Sequence, residues 1–359
     1  MAMTLLRISN TPKDYAWGSA DLIPQLLGRE PNGQPQAEVW FGTHPDSESI
    51  VEDDQNGLLS ARVGQLNFLV KYLAAAKPLS IQVHPSKQWA AKRFSENYPG
   101  YTDANHKPEL IVAVSDFHAL CGFRKTEDIS QDLELLAGSS SMFEPWLTSL
   151  ATQGLKGATE WALSQSEDVV KTFVSISHVS SRHSLVKEID QHFPNDVGLL
   201  VSMLLNYVEL KPGQALYLPA GNIHAYLSGL GVEVMASSNN VLRGGLTVKP
   251  IDVPELLAVA DFTELANPVA NQKLLMTGLT EYLTDCEDFK VYRVEPSGSN
   301  LLVDIRLTGK AILTCVAGEI AISTSKEETL VLTKGEVAFF EAANYFSILG
   351  SGTGYLALG

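Results

Sequence analysis

The sequence predicts a mainly β protein interrupted by one α-helical insertion, and three observations predict it. Short apolar runs bounded by Gly and Pro turn residues fill the chain up to Arg124 and return at Tyr207. Between Lys125 and Asn206 the apolar spacing changes to a helical period. The third observation is the stretch Pro212 to Leu227, where two Pro/Gly turn units bracket the apolar run Ala215 to Leu218 and a new strand opens on His224.

That stretch reads as a hairpin with one histidine at its edge. The order Gly213, Pro219, Gly221, His224 reproduces most of the second motif of cupins, with Ser228 where an Asn is usual. The architecture it implies is the cupin barrel, a double-stranded β-helix or jelly roll. Strand alternation then turns His224 and Tyr226 into the barrel and Ala225 away from it.

In chain order, the segments around Tyr15 to Ser19 and Ala37 to Gly42 are rich in aromatics and Gly, as expected of strand ends that wrap a barrel mouth. Phe68 to Leu73 and Leu79 to Pro85 read as paired strands across an Ala-rich turn. On the second of these, Ser80, Gln82 and His84 share one face, and Ile81 and Val83 share the other. A short helix is expected over Lys87 to Glu96, followed by a polar loop. Pro108 biases Lys107 towards an extended conformation, so Glu109 should open the strand that continues through Val114. His118 to Phe123 forms a further strand. In the helical segment, Thr126 can cap a helix carrying Ile129, Leu133 and Leu136, and Asn195 or Asp196 can cap one carrying Leu199, Leu200, Met203 and Leu204. Beyond Pro268 come strand runs at Lys290 to Val294, Leu301 to Leu307, Ala311 to Ala317 and Val337 to Phe340. Gly335 opens a second cupin-like phrase with no histidine following it. The expected organisation is a discontinuous catalytic barrel (1–124 with 207–267), a helical insertion (125–206) and a degenerate, metal-free C-terminal barrel (268–359).

A chain of 359 residues can bury a substantial core. With 19% charged and 45% hydrophobic residues it has the composition of a soluble globular protein. A net charge of −15 argues against a nucleic-acid partner, while an anionic small substrate requires a local basic pocket. The three cysteines are odd in number, far apart and without a CxxC pair, which fits a reducing cytoplasm and rules out a cysteine zinc cluster. With neither a leader-like N-terminus nor a long apolar run, a cytoplasmic protein with no membrane partner is expected.

Gln82, His84, Glu109 and His224 together offer two imidazoles, a carboxylate and an amide oxygen, a donor set suited to a divalent metal such as zinc. Four phrases then carry a resemblance. Pro78 to Pro85 (PLSIQVHP), His106 to Glu109 (HKPE), His224 to Tyr226 (HAY) and Ser238 to Lys249 (SNNVLRGGLTVK) closely resemble type I mannose-6-phosphate isomerases, in the family's order along nearly the whole chain. The resemblance implies a zinc-dependent enzyme, with one zinc per chain, that interconverts mannose 6-phosphate and fructose 6-phosphate through an enediol(ate) and links glycolysis to GDP-mannose metabolism. It assigns the zinc ligands to Gln82, His84, Glu109 and His224, the catalytic arginine to Arg243, and site-lining roles to Trp17, Ser80, Lys107, Tyr226, Glu233 and Lys249. Asn239 stands where the family often has Asp, and Gly244 where it has Ala. Lys107 can be read as a base or as a cation that binds substrate oxygen. Lys87, Lys92, Arg93, Ser80 and Lys249 are candidates for the phosphate of a hexose 6-phosphate. The expected partner is that small molecule alone, with the chain a monomer. The alternative is a non-catalytic sugar-phosphate-binding cupin, from which Arg243 together with Lys107 discriminates.

Overall fold

The computed structural model describes residues 5–52, 57–297, 302–305, 308–324, 328–342 and 346–359. Its hub is the long strand His224–Ala236, which takes part in two ladders on each of its halves. The N-terminal half pairs with Gln82–Val83 and with Phe117–Phe123. The C-terminal half pairs with Phe68–Ala75 and Glu109–Ala113. The change of partners falls at a register shift between Tyr226 and Ser228, next to Gly229. Gly229 has φ +114°, and a Cβ there would lie 2.5 Å from the Asp116 carbonyl oxygen, so this bend needs a glycine. A mainly antiparallel, jelly-roll-like β framework with helices inserted is thus the observed class.

Two local expectations fail. Phe68–Ala75 and Gln82–Val83 do not pair with one another; each lies against a different half of the long strand, because the chain between them crosses the bend. Nor do Ala215–Leu218 and the strand opening at His224 form a hairpin. Ala215–Leu218 pairs with Glu109–Ala113, while the intervening turn is drawn the other way by Gly221 N–H donating to the His84 carbonyl at 2.9 Å.

The helical segment comprises Thr126–Ser139, Glu144–Leu163, Glu167–Ile176, His183–Asp190 and Gly198–Leu204. Thr126 is the first helical residue rather than the cap, and the Glu264 carboxylate accepts from both its N–H and its hydroxyl. The ends of the segment meet: Arg124 N–H donates to the Leu204 carbonyl at 2.9 Å. Its apolar faces (Ile129, Leu133, Trp146, Phe173, Leu199) share one core with Ile81, Val83, Leu120 and Ala225. Strand alternation does the rest: where Ile81 and Val83 face the helices, Gln82 and His84 face the barrel.

The C-terminal part builds a second set of antiparallel strands. Lys290–Val294, Gly309–Ala317, Val337–Ala342 and Thr353–Leu358 belong to an eight-stranded sheet that also takes in the N-terminal strand Leu5–Ser9. Within the expected run 301–307, Leu302–Ile305 is a strand, and Leu301, Arg306 and Leu307 lie outside the described residues.

Candidate active site

Glu109 is the first residue of its strand, opposite Met235 on the long strand, as the preceding Pro108 leads one to expect. Its Oε2 lies 3.4 Å from His84 Nε2 and 3.3 Å from His224 Nε2, and all three side chains are buried. The ligand atoms of His84, Glu109 and His224 fall within 4.8 Å of one another, a group that could hold a metal ion.

The outer nitrogens decide how these imidazoles present themselves. His84 Nδ1 lies 2.8 Å from the Asn240 carbonyl, and His224 Nδ1 lies 3.1 Å from the Asn222 carbonyl. A carbonyl only accepts, so each Nδ1 carries the proton and each Nε2 turns a lone pair inward. Two lone pairs facing a carboxylate oxygen at this range repel unless a cation sits among them. His84 Nε2 is buried with no hydrogen-bond partner, as expected of a metal-ligand atom. The residues therefore fit a divalent ion. Gln82 stands opposite His224 in the ladder, and its amide nitrogen donates to Ser80 Oγ at 3.2 Å, leaving the carbonyl oxygen for a cation.

Electrostatics agree with that geometry. Burial pushes the His84 imidazole down to about 4, against the pull of Glu109, so it is neutral at physiological pH. Burial alone would raise the Glu109 carboxyl, but the Lys107 ammonium beside it outweighs that and holds the group well below the carboxylate range. Lys107 Nζ meets Glu109 Oε1 at 2.7 Å, so one carboxylate oxygen serves the lysine and the other faces the imidazoles.

A second buried network borders the first. Lys71 Nζ lies 3.2 Å from Glu233 Oε2 and 3.7 Å from Glu38 Oε1; the Tyr226 hydroxyl donates to Glu233 Oε1 at 2.9 Å, and Trp40 Nε1 donates to Glu38 Oε2 at 2.8 Å. Burial would lower the Lys71 ammonium, but Glu38 and Glu233 hold it above its ordinary range. The sequence reading missed Lys71 and Glu38, although a lysine on the otherwise apolar strand Phe68–Ala75 was a signal.

These groups line an inner chamber of about 70 Å³, shared by Ser80, Gln82, Lys107, Glu109, His224, Tyr226 and Glu233. Ser80, Gln82, Lys71 and Lys107 also line an adjacent outer cavity of about 660 Å³. Trp17, Arg243 and Lys249 line the outer cavity, with His192 and Phe193 from the helical segment. Lys71 and Lys107 are taken up by Glu38, Glu233 and Glu109, while Lys77, Arg243 and Lys249 line the outer cavity beside Asp46, a local basic pocket on an acidic protein. Arg243 pairs with Gln82 across a short ladder and is half-buried, which lowers its guanidinium. Lys87, Lys92 and Arg93 do not line either chamber; Arg93 is engaged with Glu255 and Glu96, and Lys92 lies over the Trp89 ring.

Comparison with known proteins places this geometry. Residues 5–126 match the family described as phosphomannose isomerase type I, catalytic domain. The mannose-6-phosphate isomerase of Escherichia coli (strain K12) is 35% identical, covering 98% of this chain and 98% of that protein. The chain belongs to the type I mannose-6-phosphate isomerase family. The Homo sapiens mannose-6-phosphate isomerase is 30% identical over 95% of this chain and 94% of its own. A crystal structure of a mutant phosphomannose isomerase from Salmonella typhimurium superposes with a TM-score of 0.90 at 31% identity, covering 99% of both chains. The fold is thus that of a family member. No helix among the described residues is long and apolar enough to cross a membrane.

Proposed function

We propose that this chain is a zinc-dependent aldose–ketose isomerase that interconverts mannose 6-phosphate and fructose 6-phosphate. One observation carries the reading: in a chain of this family, two imidazoles with inward Nε2 lone pairs converge on the Glu109 carboxylate at the floor of a basic cavity. His84, Glu109 and His224, with the Gln82 carbonyl, would hold one zinc, an N/O donor set that suits this borderline ion. When bound, zinc supplies Lewis-acid polarisation of the sugar carbonyl and lowers the cost of removing the proton next to it.

The chain's own residues supply the remainder. Arg243 faces the outer cavity with no carboxylate paired to it among the described residues, so its guanidinium is available to the charge of an enediolate. Lys107 is ion-paired to Glu109, which supports its reading as a fixed cation that binds a sugar oxygen. Glu233, whose carboxyl is raised by burial against the opposing effect of Lys71, and Tyr226, which it orients, line the inner chamber where the reacting carbons must enter. Trp17, Ser80 and Lys249 bind the rest of the hexose phosphate at the mouth. We take the enzyme to act as a monomer in the reducing cytoplasm that its separated cysteines suit. The test is incubation of metal-loaded protein with mannose 6-phosphate and detection of fructose 6-phosphate; sugar-phosphate binding without product would leave only a binding protein.

A further inference from the structure

Resting on the isomerase reading, we infer that Asp196, in the helical insertion, is a positioning residue for Arg243 and Lys249. Its carboxylate collects three backbone N–H groups. Oδ1 accepts from Gly198 at 2.7 Å and from Leu246 at 2.7 Å, and Oδ2 accepts from Thr247 at 3.1 Å. The first donor opens the helix Gly198–Leu204; the other two belong to the loop that follows the strand residue Arg243 and leads to Lys249. One side chain therefore joins the insertion to the loop that brings two cations to the outer cavity.

The loop is held in a conformation it would not take alone. Leu246 has φ +53°, a left-handed backbone that a leucine adopts only when its surroundings impose it. Its side chain is buried in the core shared with the helices. Gly245 and Gly198 meet backbone to backbone: a Cβ on Gly245 would lie 2.3 Å from Gly198 Cα, and one on Gly198 would lie 2.6 Å from Leu246 N. On the opposite side, Gly244 N–H donates to the Ile81 carbonyl at 2.9 Å and Ile81 N–H donates to the Gly245 carbonyl at 3.0 Å. The loop is thus pinned between the segment that carries Gln82 and the insertion. Among the described residues, Asp196 is the one side chain outside the loop that hydrogen-bonds its backbone, so it is where the insertion sets the placement of Arg243 relative to the metal ligands.

The experiment compares Asp196→Asn and Asp196→Ala with the unsubstituted chain, each alone and combined with Arg243→Ala. Asn keeps one acceptor oxygen for Gly198 and Leu246, so this variant stays folded even if Ala does not. Hydrogen exchange at the Leu246 and Thr247 amides should quicken, bound metal should stay the same, and kcat should fall on the order of 10- to 100-fold, less for Asn than for Ala. In the Arg243→Ala background the same substitutions should lower kcat by less than about twofold, because the catalytic group they misplace is already gone, while displacement of Lys249 should show in KM. An equal loss in both backgrounds, or a lower melting temperature with kcat unchanged, would make Asp196 a structural residue only and overturn the inference. Absence of turnover by the unsubstituted, metal-loaded chain would instead remove the isomerase reading, while the exchange result would still report whether Asp196 holds the loop.

Discussion

His84 Nε2 faces Glu109 Oε2 at 3.4 Å with its own Nδ1 already committed to the Asn240 carbonyl. This arrangement is costly without a cation and well matched to one. Replacing either His84 or His224 by Ala should therefore abolish stoichiometric metal binding, measured by elemental analysis after dialysis. Full occupancy in both variants would contradict the site.

Arg243 should act on the transition state more than on the bound sugar, because charge develops only as the enediolate forms. Arg243→Ala should keep its fold and metal and lose about 10²- to 10³-fold in kcat. Lysine should restore only part of this, since an ammonium lacks the planar fork. Steady-state kinetics checks it: a rise in KM with kcat intact would make Arg243 a substrate anchor.

Much of this was legible in the sequence. The phrases from Pro78 to Pro85 and from His106 to Glu109 hold His84 and Glu109, which the fold brings together with His224, and period-2 alternation places Ile81 and Val83 behind Gln82 and His84 without any coordinates. What escaped was pairing between distant segments. Gly221 is pulled to His84 and not to its own neighbouring strand, and Glu264 holds Thr126 across the chain. Lys71 was hidden for a related reason: its partners Glu38 and Glu233 lie far from it in sequence, so a buried triad looks like one misplaced charge.

That triad is open to test. Lys71 is buried between two carboxylates, and removing one member of such a set leaves uncompensated buried charge. Lys71→Met should cost about 3–5 kcal/mol in denaturant unfolding at neutral pH. A loss below about 1 kcal/mol would show that the carboxylates find other partners.

For metal-free protein the His84 imidazole predicts a pH dependence. Its folded-state value of about 4 lies below the ordinary 6.5, so the unfolded chain takes up the proton first. The stability it contributes is complete above about pH 6.5 and is lost as pH falls towards 4. The melting-temperature difference between the unsubstituted chain and His84→Gln should shrink across that window. A difference constant from pH 7 to 4 would contradict the buried, neutral imidazole.

The central claim is that the buried His84–Glu109–His224 group makes this chain a metal-dependent isomerase, and turnover before and after metal removal tests it most directly. Chelator-treated protein should convert no mannose 6-phosphate to fructose 6-phosphate, and one equivalent of zinc should restore conversion in the unsubstituted chain but not in Glu109→Ala. Undiminished conversion by protein shown to be free of metal, or none by the zinc-loaded chain, would contradict it.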